Sequence, residues 1–347
     1  MQKLYTSIIV EIIGICVFKK YFSHDLKKRG GSHRMKDVKI GGTGFAGSEI
    51  ILGIMRMDAL SVDDAVKVLE TAKDLGINFI DSADIYGNGK AEEVFGAALK
   101  KSSLSADDFC IQSKGGIFND PDKGFETTRY DFSKKHLLAT VDGILQRMGV
   151  DNLDSFLLHR PDALMDPAEV ASAFDDLQNS GKVRHFGVSN MNSGQVALLQ
   201  SAVSQKLLIN QLQFSVMHTG PIDFDLHTNM TDARSIDHDG GILEYSQLHN
   251  MTIQAWSPFQ YGQIEGTFIN NPDFPEVNPA LQKIADKYGV SKNAIGAAWI
   301  LRHPAQFQVI AGTMNPEHLK DTAAGADIHL TNQEWYDVYL AAGNDLP

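Results

Sequence analysis

From Ile50 onward the chain alternates short, continuous apolar segments with longer segments whose apolar residues recur at helical spacing. Short apolar runs rich in branched residues are typical of strands that are buried on both faces, as in parallel sheets. Eight strand candidates of this kind occur in the chain: IILGIM, INFIDS, FCIQSK, SFLLHR, RHFGVSN, LINQLQF, TIQAWS and FQVIAG.

The segments between the strand candidates carry helix start and stop signals. Four of them are SVDDAVKVLETAKDLG, SKKHLLATVDGILQRMG, DPAEVASAFDDLQNSG and SGQVALLQSAV. Each begins with Ser or Asp, residues that cap helix N-termini, and three end with Gly, which is favoured just after a helix. These segments therefore predict helices that connect the strands.

Strands that alternate with helices predict parallel pairing through right-handed crossovers. Eight repeats without a break in composition favour a closed (β/α)₈ barrel, the α/β fold of the TIM-barrel type, over an open doubly wound sheet. No G-x-G-x-x-G motif follows the first strand, which counts against the open dinucleotide-binding fold. We expect VKIGGTGFAGSEI to form a β-hairpin that caps the barrel bottom and TNQEWYDVYLAA to form an extra C-terminal helix. Two long loops, about Ser215 to Gly240 and Gln260 to Asn278, follow the sixth and seventh strands.

The first 34 residues differ from the rest of the chain. They contain seven Lys or Arg and two acidic residues, although the whole chain has a net charge of −12. The apolar run SIIVEIIGICVF is interrupted by Glu11 and is shorter than the roughly 20 residues of a membrane span. No small-residue cleavage site of a signal peptide follows it. We expect Met35 to be the true start and residues 1–34 to be a gene-model extension, with a weak membrane anchor as the alternative. We expect residues 35–347 to form a single barrel domain.

Charge and cysteine content narrow the classes of function. The net charge of −12 argues against a nucleic-acid surface, because binding phosphates requires clustered Lys and Arg. Only two cysteines occur, so no disulfide framework is implied and a reducing compartment, the cytoplasm, is expected. Several histidines lie near the loop after the sixth strand, but their spacing is not that of metal ligands on one element, so no metal site is predicted.

The carboxyl ends of the strand candidates are unusually polar. In a (β/α)₈ barrel these ends surround one mouth, where enzymes of this fold carry their chemistry. In chain order the strand-end residues are Asp81 with Tyr86, Lys114, His159, Ser189 with Asn190, Gln211, Trp256, and Gly312 with Thr313. Each has a structural explanation when taken alone, such as a turn cap for Asp81 or a core histidine for His159. Their convergence on one mouth predicts an active site.

The first four of these residues suit general acid catalysis. A tyrosine ordinarily titrates near 10, and we expect the Lys114 cation to lower the pKa of Tyr86 while Asp81 keeps the lysine charged. Such a phenol can protonate an oxygen on which negative charge develops, and His159 can orient that oxygen. Hydride delivery to a carbonyl carbon would create this oxygen. A Schiff-base Lys114, as in barrel aldolases, is the alternative, but the paired Asp81 favours a charged lysine.

The remaining strand ends suit a nicotinamide. Ser189, Asn190 and Gln211 carry a hydroxyl and two amides that can hydrogen-bond a carboxamide, and Trp256 offers a flat face for stacking. The segment AGTMNPEHLKD opens a helix after the last strand, and the free N–H groups of a helix N-terminus suit a phosphate.

With the segments ADIYG, HRPD, SGKVRHFGVSN and AWS, the chain resembles the aldo-keto reductases from about Val38 to its end. The resemblance implies a cytoplasmic NAD(P)H-dependent oxidoreductase that reduces aldehydes or ketones, with a small-molecule carbonyl substrate and no nucleic-acid or firm membrane partner. It assigns the catalytic tetrad to Asp81, Tyr86, Lys114 and His159. It also implies a set of cofactor contacts: Ser189, Asn190, Gln211, Trp256, Ser257, Gly312, Thr313 and His318. The oligomeric state and the substrate stay open.

One departure from the family pattern concerns the cofactor. Many members hold the 2′-phosphate of NADP with Lys-Ser and a later Arg, where this chain has Gly312-Thr313 and His318. A neutral histidine binds phosphate more weakly than arginine does. We expect NADP by family habit, with NAD as an alternative. A nicotinamide-binding redox-sensing regulatory subunit with little turnover is the alternative function, because some relatives of this fold act in that way.

Overall fold

The computed structural model describes residues 35–120 and 124–347, and the predicted leader, residues 1–34, lies outside this part of the chain. Eight parallel strands close into a barrel, which confirms the predicted (β/α)₈ fold. The barrel strands are β3 (Ile50–Gly53), β4 (Phe79–Asp81), β5 (Cys110–Gly115), β8 (Leu153–Leu158), β9 (Val183–Ser189), β10 (Leu207–Gln213), β11 (Thr252–Trp256) and β14 (Phe307–Ala311). They correspond to the eight predicted strand segments.

Each barrel strand pairs with its neighbours in chain order. The last strand pairs with the first, with Val309 opposite Ile50 and Ile310 opposite Ile51, and this pairing closes the barrel. Because all eight strands run in the same direction, their carboxyl ends meet at one mouth.

Helices surround the barrel and bury apolar faces against the strands. The described helices are α1 (Val62–Asp74), α2 (Lys90–Lys101), α3 (Lys134–Met148), α4 (Pro167–Asn179), α5 (Ser193–Gln200), α6 (Gly220–Leu226), α7 (Ile242–His249), α8 (Val277–Tyr288), α9 (Lys292–Leu301), α10 (Pro316–Ala323) and α11 (Asn332–Ala341). None of the helices in the described ranges is long and apolar enough to cross a membrane.

Side-chain caps explain where several helices begin. The Ser61 and Asp166 side chains each accept a backbone N–H of the first turn, as the sequence predicts for α1 and α4. At α5 the cap is Asn192, one residue earlier than predicted, because its side chain and that of Gln195 form a reciprocal capping box.

The N-terminal hairpin closes the bottom of the barrel, as predicted. Its strands are β1 (Asp37–Lys39) and β2 (Ala46–Ser48), which pair antiparallel. Gly41, at a φ of 60°, lies so close to the start of β10 that a Cβ there would come within 2.5 Å of Leu208 Cδ2. The apolar residues of the hairpin pack against Leu208 and Phe79 and seal this end of the barrel.

The loops at the mouth carry more regular structure than the sequence predicts. The third barrel strand is followed by an antiparallel ribbon, β6 (Ile117–Asp120) and β7 (Gly124–Tyr130). The predicted long loop after the seventh strand contains a second ribbon, β12 (Gln260–Tyr261) and β13 (Gly266–Thr267). The long loop after the sixth strand contains α6. The ribbon strands lack the continuous apolar runs from which the barrel strands were predicted.

The end of the chain holds the loop after the sixth strand. The Arg234 guanidinium donates to the Asn344 side chain at 2.6 Å and to the Gly343 carbonyl at 2.8 Å, and it pairs with Asp223 at 3.1 Å. The Tyr339 hydroxyl on α11 donates to Asp223 at 2.7 Å. The loop and the C-terminal segment are therefore joined by a network of charged and polar contacts, which we call the C-terminal clasp.

A chain of glutamines crosses the barrel interior. Gln308 donates to the Ser48 carbonyl, Gln254 donates to Gln308 at 3.0 Å, and Gln112 donates to Gln254 at 2.7 Å. Gln211 also donates to Gln254, at 3.2 Å. All four side chains are buried. Barrel interiors are usually filled by branched apolar side chains, so this layer is an unusual polar one that satisfies its own hydrogen bonds.

Candidate active site

A buried ion pair lies at the centre of the mouth. Lys114 ends β5 and is fully buried, and its Nζ lies 2.8 Å from both carboxylate oxygens of Asp81 at the end of β4. The same ammonium donates to the Ser82 carbonyl at 2.6 Å. Burial alone would lower the pKa of Lys114, but the adjacent Asp81 carboxylate and Tyr86 outweigh it and raise that pKa above its usual value. Lys114 is therefore a fixed cation, as predicted.

Tyr86 and His159 lie against this cation. Lys114 Nζ is 5.1 Å from the Tyr86 ring centroid, and the Tyr86 and His159 rings meet edge to face with centroids 5.9 Å apart. The structure thus brings the four predicted tetrad residues together. Burial, with smaller contributions from Lys114 and Arg160, holds the pKa of His159 well below its usual value, so its imidazole is neutral at pH 7.

The predicted direction of the Tyr86 pKa shift is wrong. Lys114 does lower it, but burial is the largest influence and Asp81 adds to it, so the pKa of Tyr86 is raised. The phenol is therefore held in its protonated form at neutral pH. A donor of a proton in the reductive direction needs this form.

Hydrogen bonds from the glutamine chain hold the Asp81 carboxylate in place. Oδ1 of Asp81 accepts from Gln112 Nε2 at 2.7 Å and from Gln211 Nε2 at 2.9 Å, in addition to Lys114. Gln211 was predicted to contact the nicotinamide because it lies at a strand end, whereas Gln112 and Gln254 were not predicted as site residues. Gln112 precedes Lys114 by two residues, and this period-two spacing would have placed both side chains on the inward face of β5.

The four residues assigned to the nicotinamide are linked to one another. Asn190, at a φ of 57°, donates from Nδ2 to Ser189 Oγ at 2.7 Å and accepts from Trp256 Nε1 at 3.1 Å. Ser189 in turn donates to the backbone carbonyl of Gln211 at 3.0 Å. These bonds fix the plane of the indole, whose flat face lines the mouth next to the amides.

A cavity of about 960 Å³ runs from the tetrad to the residues after the last strand. Its lining includes all the other predicted cofactor residues: Ser257, Gly312, Thr313 and His318. Asn315 caps α10, which begins at Pro316, so the predicted helix opening is present. This volume lies at the upper end of the range for ligand pockets and suits a ligand as large as a dinucleotide.

Three cations that line this cavity were not predicted as site residues: Arg56, Lys292 and Arg160. Arg56 follows the first barrel strand and donates from Nη1 to the Gly312 carbonyl at 2.9 Å. Lys292 is the first residue of α9, where a positive charge opposes the helix dipole. Arg56 could have been identified as a site residue from its position just after a barrel strand. Arg56 and Lys292 both fit a ligand that carries phosphates.

Within residues 35–120 and 124–347, no group of three or more His, Cys, Asp or Glu side chains is arranged to hold a metal ion. The histidines near the loop after the sixth strand differ in exposure. His227 is buried and its Nδ1 lies 3.2 Å from Asp232, whereas His238 and His249 are exposed.

The sequence is similar to known proteins over most of its length. A sequence model described as the aldo/keto reductase family matches residues 49–339. The chain is 33% identical over 305 residues to a 6-dehydroglucose reductase of Agrobacterium fabrum, covering 86% of this chain and 96% of that protein. It is 33% identical over 304 residues to the oxidoreductase YdhF of Escherichia coli, covering 86% and 95%.

The fold is also found among solved structures. An aldo-keto reductase from Klebsiella pneumoniae, solved in complex with NADPH, superposes with a TM-score of 0.70 at 24% identity. The match covers 90% of this chain and 96% of that one. This likeness shows the barrel architecture, and the sequence matches show the family.

Proposed function

This chain belongs to the aldo/keto reductase family, and from that premise we propose that it reduces the carbonyl of an aldehyde or ketone with NADPH, using Tyr86 as the general acid. The reverse reaction, oxidation of an alcohol, uses the same groups. The observation that supports this most strongly is the fully buried Lys114 cation, paired with Asp81 at 2.8 Å and lying under the Tyr86 ring beside a neutral imidazole.

The roles of the side chains follow from their charges. Tyr86 is protonated and donates its phenolic proton to the carbonyl oxygen as negative charge develops there. Lys114 stabilises the phenolate that remains, and Asp81 keeps the lysine charged and oriented. The neutral His159 has one ring N–H, which orients the carbonyl oxygen by hydrogen bonding. His159 lines the cavity, where its ring can reach a substrate oxygen, and its buried Nδ1 has no partner among the described residues.

The chain's own residues fit a nicotinamide dinucleotide, which supplies the hydride when it is bound. Ser189, Asn190 and Gln211 offer hydrogen bonds to the carboxamide, and Trp256 offers a stacking face. For the phosphates, the cavity offers Arg56, Lys292, and the backbone around Gly312 and Thr313. His318 is exposed and replaces the family's usual arginine, so these two cations are the groups that would favour NADPH over NADH.

The first test is Tyr86→Phe. We expect this variant to bind NADPH as wild type does, measured by quenching of tryptophan fluorescence, while kcat for aldehyde reduction falls by at least about 100-fold because the proton donor is lost. Tyr336→Phe, which removes a hydroxyl from the partly exposed outer side of α11, is the matched control and should keep wild-type turnover.

Other outcomes would decide against the proposal. Unchanged turnover of Tyr86→Phe would remove the phenol from the chemistry. Tight NADPH binding by wild type without turnover of any carbonyl tested would favour the redox-sensing subunit. Covalent trapping of a substrate on Lys114 by borohydride would favour the aldolase.

A further inference from the structure

Arg160 is a further cation at the mouth, next to the tetrad. Arg160 directly follows His159 at the end of β8, and its guanidinium carbon lies 5.6 Å from the centroid of the Trp256 ring. Its side chain lines the main cavity and also a neighbouring cavity of about 520 Å³. The residues that line both cavities are Arg160, Asn190, Trp256 and Ile264, so they form the wall between them.

The charge of Arg160 is not compensated within the part of the chain that the structure describes. No described residue forms an ion pair or a hydrogen bond with its guanidinium. By contrast, the charge of Lys114 is neutralised by Asp81, Arg56 donates to the Gly312 carbonyl, and Arg184 at the other end of the barrel pairs with Asp154 at 2.7 Å. Half-buried arginines normally find a carboxylate or carbonyl partner, because their five donors otherwise lose hydration without return. In a chain with a net charge of −12, an unpaired guanidinium at the mouth indicates a ligand that supplies the missing anion.

We propose that Arg160 binds an anionic oxygen group, a carboxylate or a phosphate, that the carbonyl substrate carries a few bonds from its reacting carbon. This inference rests on the proposed reductase function. Arg160 lines the main cavity together with Tyr86 and His159, and its charge acts on both of those side chains. A carbonyl oxygen held by Tyr86 and His159 therefore places the following atoms of the substrate near the guanidinium. The planar guanidinium fork matches the two oxygens of such a group, and the Trp256 ring supports it from one side.

The second cavity suits the remainder of a polar substrate. Gln195, Gln213, His218 and His238 contribute polar side chains to its lining. Among the described residues, Asp239 is its single acidic lining residue. The anion is therefore expected at the junction of the two cavities, beside Arg160.

The test compares pairs of carbonyl compounds in which one member carries an anionic group and the other does not. The probes are 4-oxobutanoate and its methyl ester for the carboxylate, and D-glyceraldehyde 3-phosphate and D-glyceraldehyde for the phosphate. The measured quantity is the ratio of kcat/KM for the charged compound to that for its neutral partner, so that effects common to both compounds cancel. We expect wild type to favour at least one charged compound by about tenfold to hundredfold, the range of a charge-assisted hydrogen bond pair.

Substitution at Arg160 should remove this preference. Arg160→Met keeps most of the side-chain volume without the charge and should bring the ratio close to one, while Arg160→Lys should restore part of it as a point charge without the fork. Arg184→Met removes one positive charge far from the mouth and should keep the wild-type ratio.

The outcomes separate the two proposals. If wild type reduces the neutral compounds but shows a ratio near one for both pairs, or if Arg160→Met keeps the wild-type ratio, the role of Arg160 is overturned and the reductase function stands. If wild type reduces none of the four compounds or any other aldehyde with NADPH, the reductase function itself fails. A preference for only one of the two charged compounds identifies the anion.

Discussion

Tyr86 shows how the environment of one side chain sets its chemistry. The residue was predicted as the proton donor from its position after a strand, but the direction of its pKa shift could not be predicted from its neighbours in sequence. That shift depends on how completely the phenol is buried, and burial outweighs the nearby cation. Burial also favours the uncharged form of His159, because it lowers the pKa of the imidazole.

These two shifts predict the pH dependence of the reaction. Reduction consumes the Tyr86 proton, so its kcat/KM should be constant through the neutral range and should fall only above the raised pKa of the phenol. Oxidation of an alcohol needs the phenolate, so its rate should rise about tenfold per pH unit as the pH approaches the pKa of Tyr86 from below. Both profiles can be measured with one aldehyde and its alcohol, with circular dichroism to confirm that the protein stays folded. A reduction rate that already falls as the pH is raised toward 8 would contradict the raised pKa of Tyr86.

At the scale of elements, α11 is fastened at its first turn by a single carboxylate. Glu334 accepts from the Thr331 backbone N–H at 2.8 Å, from the Tyr288 hydroxyl at 3.1 Å and from Lys287 at 2.5 Å. Although burial opposes its charge, hydrogen bonds from Lys287, Thr331 and Tyr288 lower the pKa of Glu334 to about 2. The sequence predicted this helix, and the capping box Thr331–Glu334 explains its start.

We expect Glu334→Gln to lower the free energy of unfolding by about 1 kcal/mol at pH 7, because the ion pair with Lys287 is lost and the amide oxygen accepts weaker, uncharged hydrogen bonds from Thr331 and Tyr288. The native carboxyl has a lowered pKa, so its contribution is complete above the unfolded value of 4.5 and is lost as the pH falls toward 2. Denaturant titrations at pH 7 and pH 3 measure this, and the gap between variant and wild type should narrow at pH 3. Glu317→Gln, at an exposed pair with Lys320, is the control and should change stability by less than about 0.5 kcal/mol. Equal stabilities of Glu334→Gln and wild type at pH 7 would refute this account.

Some elements of the fold could be predicted from the sequence and others could not. The eight barrel strands, the hairpin and α11 were predicted because each has a clear hydrophobic period or a capping signal. The ribbons β6–β7 and β12–β13 were missed because their sequences, IFND, GFETTRY, QY and GT, lack the continuous apolar runs of the barrel strands. Arg56, Lys292 and Gln254 were missed for another reason, because their roles arise from contacts between segments distant in sequence.

At the scale of the whole molecule, the C-terminal clasp connects the last residues of the chain to a wall of the second cavity. Arg234 reaches Asp223, Gly343 and Asn344, and the loop that carries Arg234 also supplies His218 and His238 to the cavity lining. The shape of that cavity is therefore coupled to contacts made by the end of the chain.

Removing residues 343–347 should loosen this loop without unfolding the barrel. We expect KM for the carbonyl substrate to rise severalfold, while the affinity for NADPH, whose proposed groove lies on the other side of Trp256, stays at the wild-type value. A chain that lacks only residues 346–347 keeps Gly343, Asn344 and Asp345 and serves as the control. A KM that does not respond to the longer truncation, or an equal loss of NADPH affinity, would contradict the coupling.

The glutamine chain in the barrel interior has a consequence for how this sequence can evolve. Each of Gln112, Gln211, Gln254 and Gln308 satisfies a buried group on a neighbour, so an apolar replacement of one leaves its partners with unmet hydrogen bonds. A drift of single substitutions through this layer is disfavoured, and a concerted replacement must also supply new partners for Asp81 and for the Ser48 carbonyl. Among related sequences the four positions should therefore change together rather than singly.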